Sequence, residues 1–246
     1  MTRLTNVTLR RSCLALLLLG TLLAAQGVVA QTACCRLPDL GSGTIDMAPL
    51  CPDGYAWAFT LQGSLPVGTT IEFAGALFVI SSNEIPGGAL GGTQSAFDGT
   101  VTVTIWGTGT LLGFNRFISI PVSGIMDMAP RTPGDAVQDF ACDLFSLQGA
   151  LFGDPDFCIL QIEAGANFGR PSPGNTTLTR VGGPGTDFLV DSFFDIDYRI
   201  DWQGCPGSVL DGFGGVTEDQ TYIYTCEFPV GAETGTWGEI KSMYAD

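Results

Sequence analysis

Histidine is missing from all 246 residues. Its absence removes His-based catalytic triads, the common zinc sites and the usual near-neutral pH switch. Basic residues are scarce as well: ten Lys and Arg stand against 25 Asp and Glu, a net charge of −15. Phosphate recognition needs clustered Lys and Arg, so nucleic acid is excluded as a partner, and anionic membrane surfaces are disfavoured by the same sign. No Cys-x-x-Cys pair occurs, which argues against a thiolate zinc site. No sustained 3.6-residue apolar periodicity appears. The one long apolar run, Leu14 to Ala25, is shorter than the roughly 20 residues of a membrane span. An enzyme built from this chain would have to work with carboxylates, Tyr, Lys, Ser or Cys.

The beginning of the chain has a purpose of its own. Arg3, Arg10 and Arg11 precede the apolar run, and Val28-Val29-Ala30 follow it, the pattern of a secretory signal peptide over residues 1–30. The expected product is secreted, extracellular or held at the cell surface, with no transmembrane span. All the acidic residues lie after Ala30, so the mature chain sets seven basic residues against 25 acidic ones, a net charge of −18. That charge first of all keeps an exported protein soluble. Export also places the cysteines in an oxidising medium. Cys142 with Cys158, and Cys205 with Cys226, are the expected bridges. Cys51 then takes Cys34 or Cys35, and one thiol is left over. A lipid on Cys34 would make the remainder even, but Gln31 stands where a lipoprotein signal wants an apolar residue.

The chain says nearly the same thing twice. Asp46-Met47-Ala48-Pro49 returns as Asp127-Met128-Ala129-Pro130, Phe59-Thr60-Leu61-Gln62-Gly63 as Phe145-Ser146-Leu147-Gln148-Gly149, and Ile71-Glu72 as Ile162-Glu163. The order is kept, which is the mark of an internal duplication. Gly is abundant, 34 residues, and spread through turns. Thr100–Ile105 and Asp195–Trp202 alternate polar and apolar residues as half-buried strands do. Further strands are expected near 55–63, 69–81, 114–122, 139–151, 157–164, 176–180 and 220–228, separated by Gly- and Pro-rich turns. The expected fold is all-β, an antiparallel β-sandwich or barrel built from the duplication and bonded by disulfides. Its parts are a Cys-containing segment at 31–43, repeat 1 at 44–122, repeat 2 at 123–230 and a tail at 231–246, the two repeats forming one compact unit.

Several residues invite chemistry. Asp195, Asp197 and Asp201 share one face of a strand and offer oxygens to Ca²⁺, the only cofactor expected, if any. Same-face neighbours lie nearly 7 Å apart along a strand, so a solvated outer face explains them as well. Gln62 with Gln148, and Glu72 with Glu163, are repeated positions whose side chains suit acid–base chemistry or glycoside hydrolysis. Repetition favours a shared structural role. Trp106 and Trp202 each close an alternating strand and could stack sugars, with Phe188, Phe193, Phe194 and Tyr198 nearby; a packed core is the simpler reading.

The stretch Asp187–Asp201, with its Asp-Ser-Phe-Phe-Asp-Ile-Asp-Tyr-Arg-Ile-Asp sequence, resembles a segment of exported bacterial β-rich proteins of unknown function. The resemblance spans about fifteen residues. It implies a secreted β-rich protein without established catalysis, and it carries over no functional residues. The reading that follows is a secreted, non-catalytic structural, cell-surface or adhesive protein. A carbohydrate- or Ca²⁺-binding extracellular module is the alternative, with a surface glycan or another extracellular protein as partner. A carboxylate-dependent hydrolase ranks last.

Overall fold

A computed structural model describes residues 35–45 and 54–225. The expected leader, the first Asp-Met-Ala-Pro phrase, Cys34, Cys51, Cys226 and the tail at 231–246 lie outside the described residues.

Among the described residues ten strands form: β1 Cys35–Leu37, β2 Tyr55–Leu61, β3 Ile71–Pro86, β4 Thr93–Gly107, β5 Asn115–Met128, β6 Val137–Ala150, β7 Phe157–Ala164, β8 Pro173–Arg180, β9 Phe188–Gly204 and β10 Gly214–Tyr224. All belong to one antiparallel sheet. The neighbours run β9-β10-β2-β3-β4-β5-β6-β7, and β7 pairs with β9 again, so the path of pairings returns to its start. β8 lies off this path and pairs with both β6 and β9. The join between β10 and β2 is the sparsest. Tyr224 pairs with Ala56 at one end; at the other, the Gln62 amide donates to Thr217 Oγ1 at 2.8 Å and the Ser64 amide to the Gly214 carbonyl at 3.0 Å.

Alternation decides which face is buried. On β4, Val101, Val103 and Ile105 are buried while Thr104 is exposed; on β9, Phe194, Ile196, Tyr198, Ile200 and Trp202 are buried. These inward residues form one apolar core with contributions from both halves of the chain. Its aromatic centre draws on β2, β3 and β9. Phe59 stacks on Phe73 with centroids 4.8 Å apart and lies 5.4 Å from Tyr198, and Tyr55 meets Phe194 edge-on at 5.7 Å.

The repeated phrases land in corresponding places. Phe59–Leu61 ends β2 and Phe145–Leu147 runs along β6; Ile71-Glu72 opens β3 and Ile162-Glu163 lies on β7; Phe97-Asp98 lies on β4 and Phe194-Asp195 on β9. Two four-stranded meanders result, β2-β3-β4-β5 and β6-β7-β9-β10, with β8 inserted in the second. Their registers differ. Glu72 faces Thr60 and accepts its hydroxyl proton at 2.5 Å, whereas Glu163 faces Gln148. Residues 122 and 123, the expected repeat boundary, both lie inside β5.

The disulfide pairing differs from expectation. Cys158 bonds Cys205, with Cα atoms 4.7 Å apart, and so pairs with neither Cys142 nor leaves Cys205 for Cys226. Cys142 is a free, buried thiol. The reason is facing: Cys142 points into the core while Cys158 is exposed at the outer end of β7, so no bond can join them. Cys35 is disulfide-bonded as well.

Candidate functional site: a polar row across five strands

Gln148 and Glu163 stand directly opposite each other on β6 and β7. The row they start continues in both directions. Ser123 on β5 faces Gln148, Asp98 on β4 faces Ser123, and Ser81 on β3 faces Asp98. On the other side Glu163 faces Arg199 on β9, which faces Glu218 on β10. Directly opposed residues share a face, and this one is the outer face. From Ser81 to Glu163 the row crosses five strands, about 19 Å at the roughly 4.8 Å strand spacing.

Beneath the row the inner face is bare. Asp98, Ser123 and Gln148 are each followed by a glycine, and Gly99, Gly124 and Gly149 therefore point inward. A Cβ on Gly149 would come within 2.5 Å of Val122 Cγ1, and one on Gly124 would strike the Phe97 ring. With no side chain to hold them off, Phe97 and Val122 pack against backbone, and the sheet can bend toward the core along this line. The outer face carries two adjoining depressions there, of about 430 and 500 Å³, which share Asp98, Ser123 and Gln148. Phe152 is 83% exposed and lines the second.

The row ends in a charged network. Arg199 holds Asp201 through two bonds of 2.7 and 2.8 Å and reaches Glu218 at 3.3 Å; Arg170 bonds Asp197 at 3.0 Å and Glu218 at 2.5 Å. The Arg199 bond keeps the Asp201 carboxyl below its ordinary range. Two of the three carboxylates considered for Ca²⁺, Asp197 and Asp201, are thus committed to arginines, and Asp195 faces Tyr222 across the strand pair. Among the described residues no three acidic or thiol groups converge in a manner that could hold a metal ion.

The aromatic residues divide. Trp202 is buried, its indole N–H donating to the Gln62 carbonyl at 2.8 Å, and Phe188, Phe194 and Tyr198 are buried with it. Trp106 instead points outward, 37% exposed, opposite Glu72. Of the row, Gln148, Glu163 and Asp98, the last through the match of Phe97-Asp98 to Phe194-Asp195, stand out in the sequence through repetition, while Ser81 and Ser123 do not. Asp98, Ser123 and Gln148 share a further signal, a polar–Gly pair inside an alternating strand, at 98–99, 123–124 and 148–149; Ser81 carries none.

No family model, curated protein or solved structure matches this chain. Among the described residues no helix is long and apolar enough to cross a membrane.

Proposed function

We propose that this chain is a secreted, non-catalytic cell-surface protein that adheres by binding carbohydrate, with an extended glycan lying across β3 to β7. The observation that carries this reading is the unbroken row of Ser81, Asp98, Ser123, Gln148 and Glu163 above two joined depressions. Hydroxyl, amide and carboxylate groups at regular spacing match the donors and acceptors of sugar hydroxyls. Phe152 supplies an apolar surface for a ring face. The strong negative charge favours neutral or basic glycans over polyanionic ones. Hydrolysis is disfavoured by distance: Asp98 and Glu163 are three strand steps apart, about 14 Å, beyond the roughly 5–9.5 Å that paired glycosidase carboxylates use.

Retention on a panel of immobilised neutral, basic and acidic polysaccharides tests the proposal. The expected result is retention on a neutral or basic polymer, lost in Ser123→Trp, which fills the depression from its floor. No retention on any polymer, or retention unaffected by that substitution, would refute it.

A further inference from the structure

Four reversals of the chain gather at one end of the sheet: 62–70 between β2 and β3, 108–114 between β4 and β5, 151–156 between β6 and β7, and 205–213 between β9 and β10. Antiparallel pairing throughout puts them on the same side. Each is tied to the next. Thr69 and Thr110 hydroxyls meet at 2.9 Å, and those of Thr70 and Thr108 at 2.7 Å. Arg116, at the foot of the second reversal, pairs with Asp154 at 2.8 Å and with Asp156. The Cys158–Cys205 disulfide joins the third reversal to the fourth, helped by a 2.8 Å bond from the Cys205 amide to the Asp156 carbonyl. Ser64 and Gly214 close the ring at 3.0 Å.

This rigid rim presents apolar tips. Val67 is 104% exposed, Leu112 85%, Phe152 83% and Val209 51%. Three of them precede a glycine with positive φ: Gly68 at +77°, Gly113 at +98° and Gly153 at +71°. A Cβ on any of these glycines would meet nothing within 4 Å, so the tips stand in open solvent. The same device, an apolar residue followed by a left-handed glycine at the crest of a turn, therefore occurs three times at one end.

The area and the charge of this end decide what fits it. The tips are single side chains on separate loops, divided by glycine, proline and threonine, and do not form the continuous, closely packed apolar centre of a stable protein interface, which argues against a second copy. A lipid layer needs no complementary shape, and its affinity grows with the apolar area inserted at the headgroup boundary. The four reversals contain no Lys or Arg, and Arg116 beside them is committed to two carboxylates. Attraction to anionic headgroups is therefore lacking. We infer that this loop end is an insertion surface for a zwitterionic lipid layer.

Co-sedimentation with phosphatidylcholine vesicles tests this, comparing the protein with its V67D/L112D variant. Both carry the same N-terminus, so binding through a retained leader would be common to both. Neither substituted residue lines the polar depressions, so glycan retention reports on the groove separately. Both residues are at least 85% exposed, and an unchanged melting curve verifies that the variant folds. The expected result is salt-independent binding that weakens by about tenfold per removed tip, about a hundredfold for the pair. No binding to phosphatidylcholine, equal binding by the variant, a requirement for phosphatidylserine, or a dimer in light scattering that the variant loses would each overturn the inference.

Discussion

Cys142 shows how much one residue's direction decides. Its thiol touches the Thr176 hydroxyl at 3.4 Å, which in turn lies 2.8 Å from the Ser192 hydroxyl, itself bonded by Tyr55 at 3.1 Å. Burial pushes the thiol up to about 11, so almost none is thiolate at mildly alkaline pH. Iodoacetamide at pH 8 is expected to leave Cys142 unlabelled in the folded protein and to label it once denaturant is added; ready labelling without denaturant would contradict its position. Asp143 offers a second test. Its Oδ1 is buried without a hydrogen-bond partner, and it faces Asp127 across β5 and β6. Burial raises its carboxyl, with Asp127 adding repulsion. A carboxyl raised by folding costs stability as pH climbs through its unfolded range near 4. Asp143→Asn is therefore expected to stabilise the protein at pH 7, with the gain vanishing at pH 3, read from denaturant melts at the two pH values. Asp39 titrates in the opposite sense. Its bond to Arg180 at 2.8 Å holds its carboxyl low, so the stability it adds is complete above about pH 4 and lost as acid protonates it.

Strands and their connections set what could be read from sequence. β4 and β9 alternate cleanly, and their inward residues follow from that pattern alone: Val101, Val103 and Ile105 on one, Ile196, Tyr198 and Ile200 on the other. Local alternation carries no information about which strand lies alongside. Register, the insertion of β8 between β7 and β9, and the Cys158–Cys205 bond all depend on distant pairing and could not be read this way. The bulges between Val79 and Ser81 and between Ile125 and Met126 are equally hidden, yet the first of them sets Ser81 opposite Asp98. Gln148 and Glu163 are both visible as repeated residues, but that they face each other is not, because the two copies pair in different registers. At this scale Gly124 is the informative substitution. A Cβ there meets the Phe97 ring and lies 2.7 Å from the Ser146 carbonyl oxygen. Gly124→Ala is expected to cost about 1–3 kcal/mol through overpacking and to weaken glycan retention by lifting the groove floor. A fully stable variant with normal retention would show that the glycine line does not shape the groove.

The described strands form one sheet, and its outer face and one of its ends carry different surfaces. The outer face of β3 to β7 carries the polar row. At one end, the four reversals are cross-linked by hydroxyl pairs, an arginine with two carboxylates, a disulfide and backbone bonds. The disulfide closes a loop with a sequence separation of 47 residues, and such a closure stabilises by about 2–4 kcal/mol. A Cys158→Ser/Cys205→Ser variant is expected to lose about that much in denaturant melts while keeping its fold, because the sheet pairings around it remain. The row itself stands on strand pairings that do not depend on this bond, so glycan retention should survive below the lowered melting temperature. The central claim, that the row from Ser81 to Glu163 is a glycan site, is tested most directly by hydrogen exchange with and without the best-retained oligosaccharide. The account predicts slowed exchange confined to the strand segments around Ser81, Asp98, Ser123, Gln148 and Glu163. Protection elsewhere, with those five segments unchanged, would contradict it.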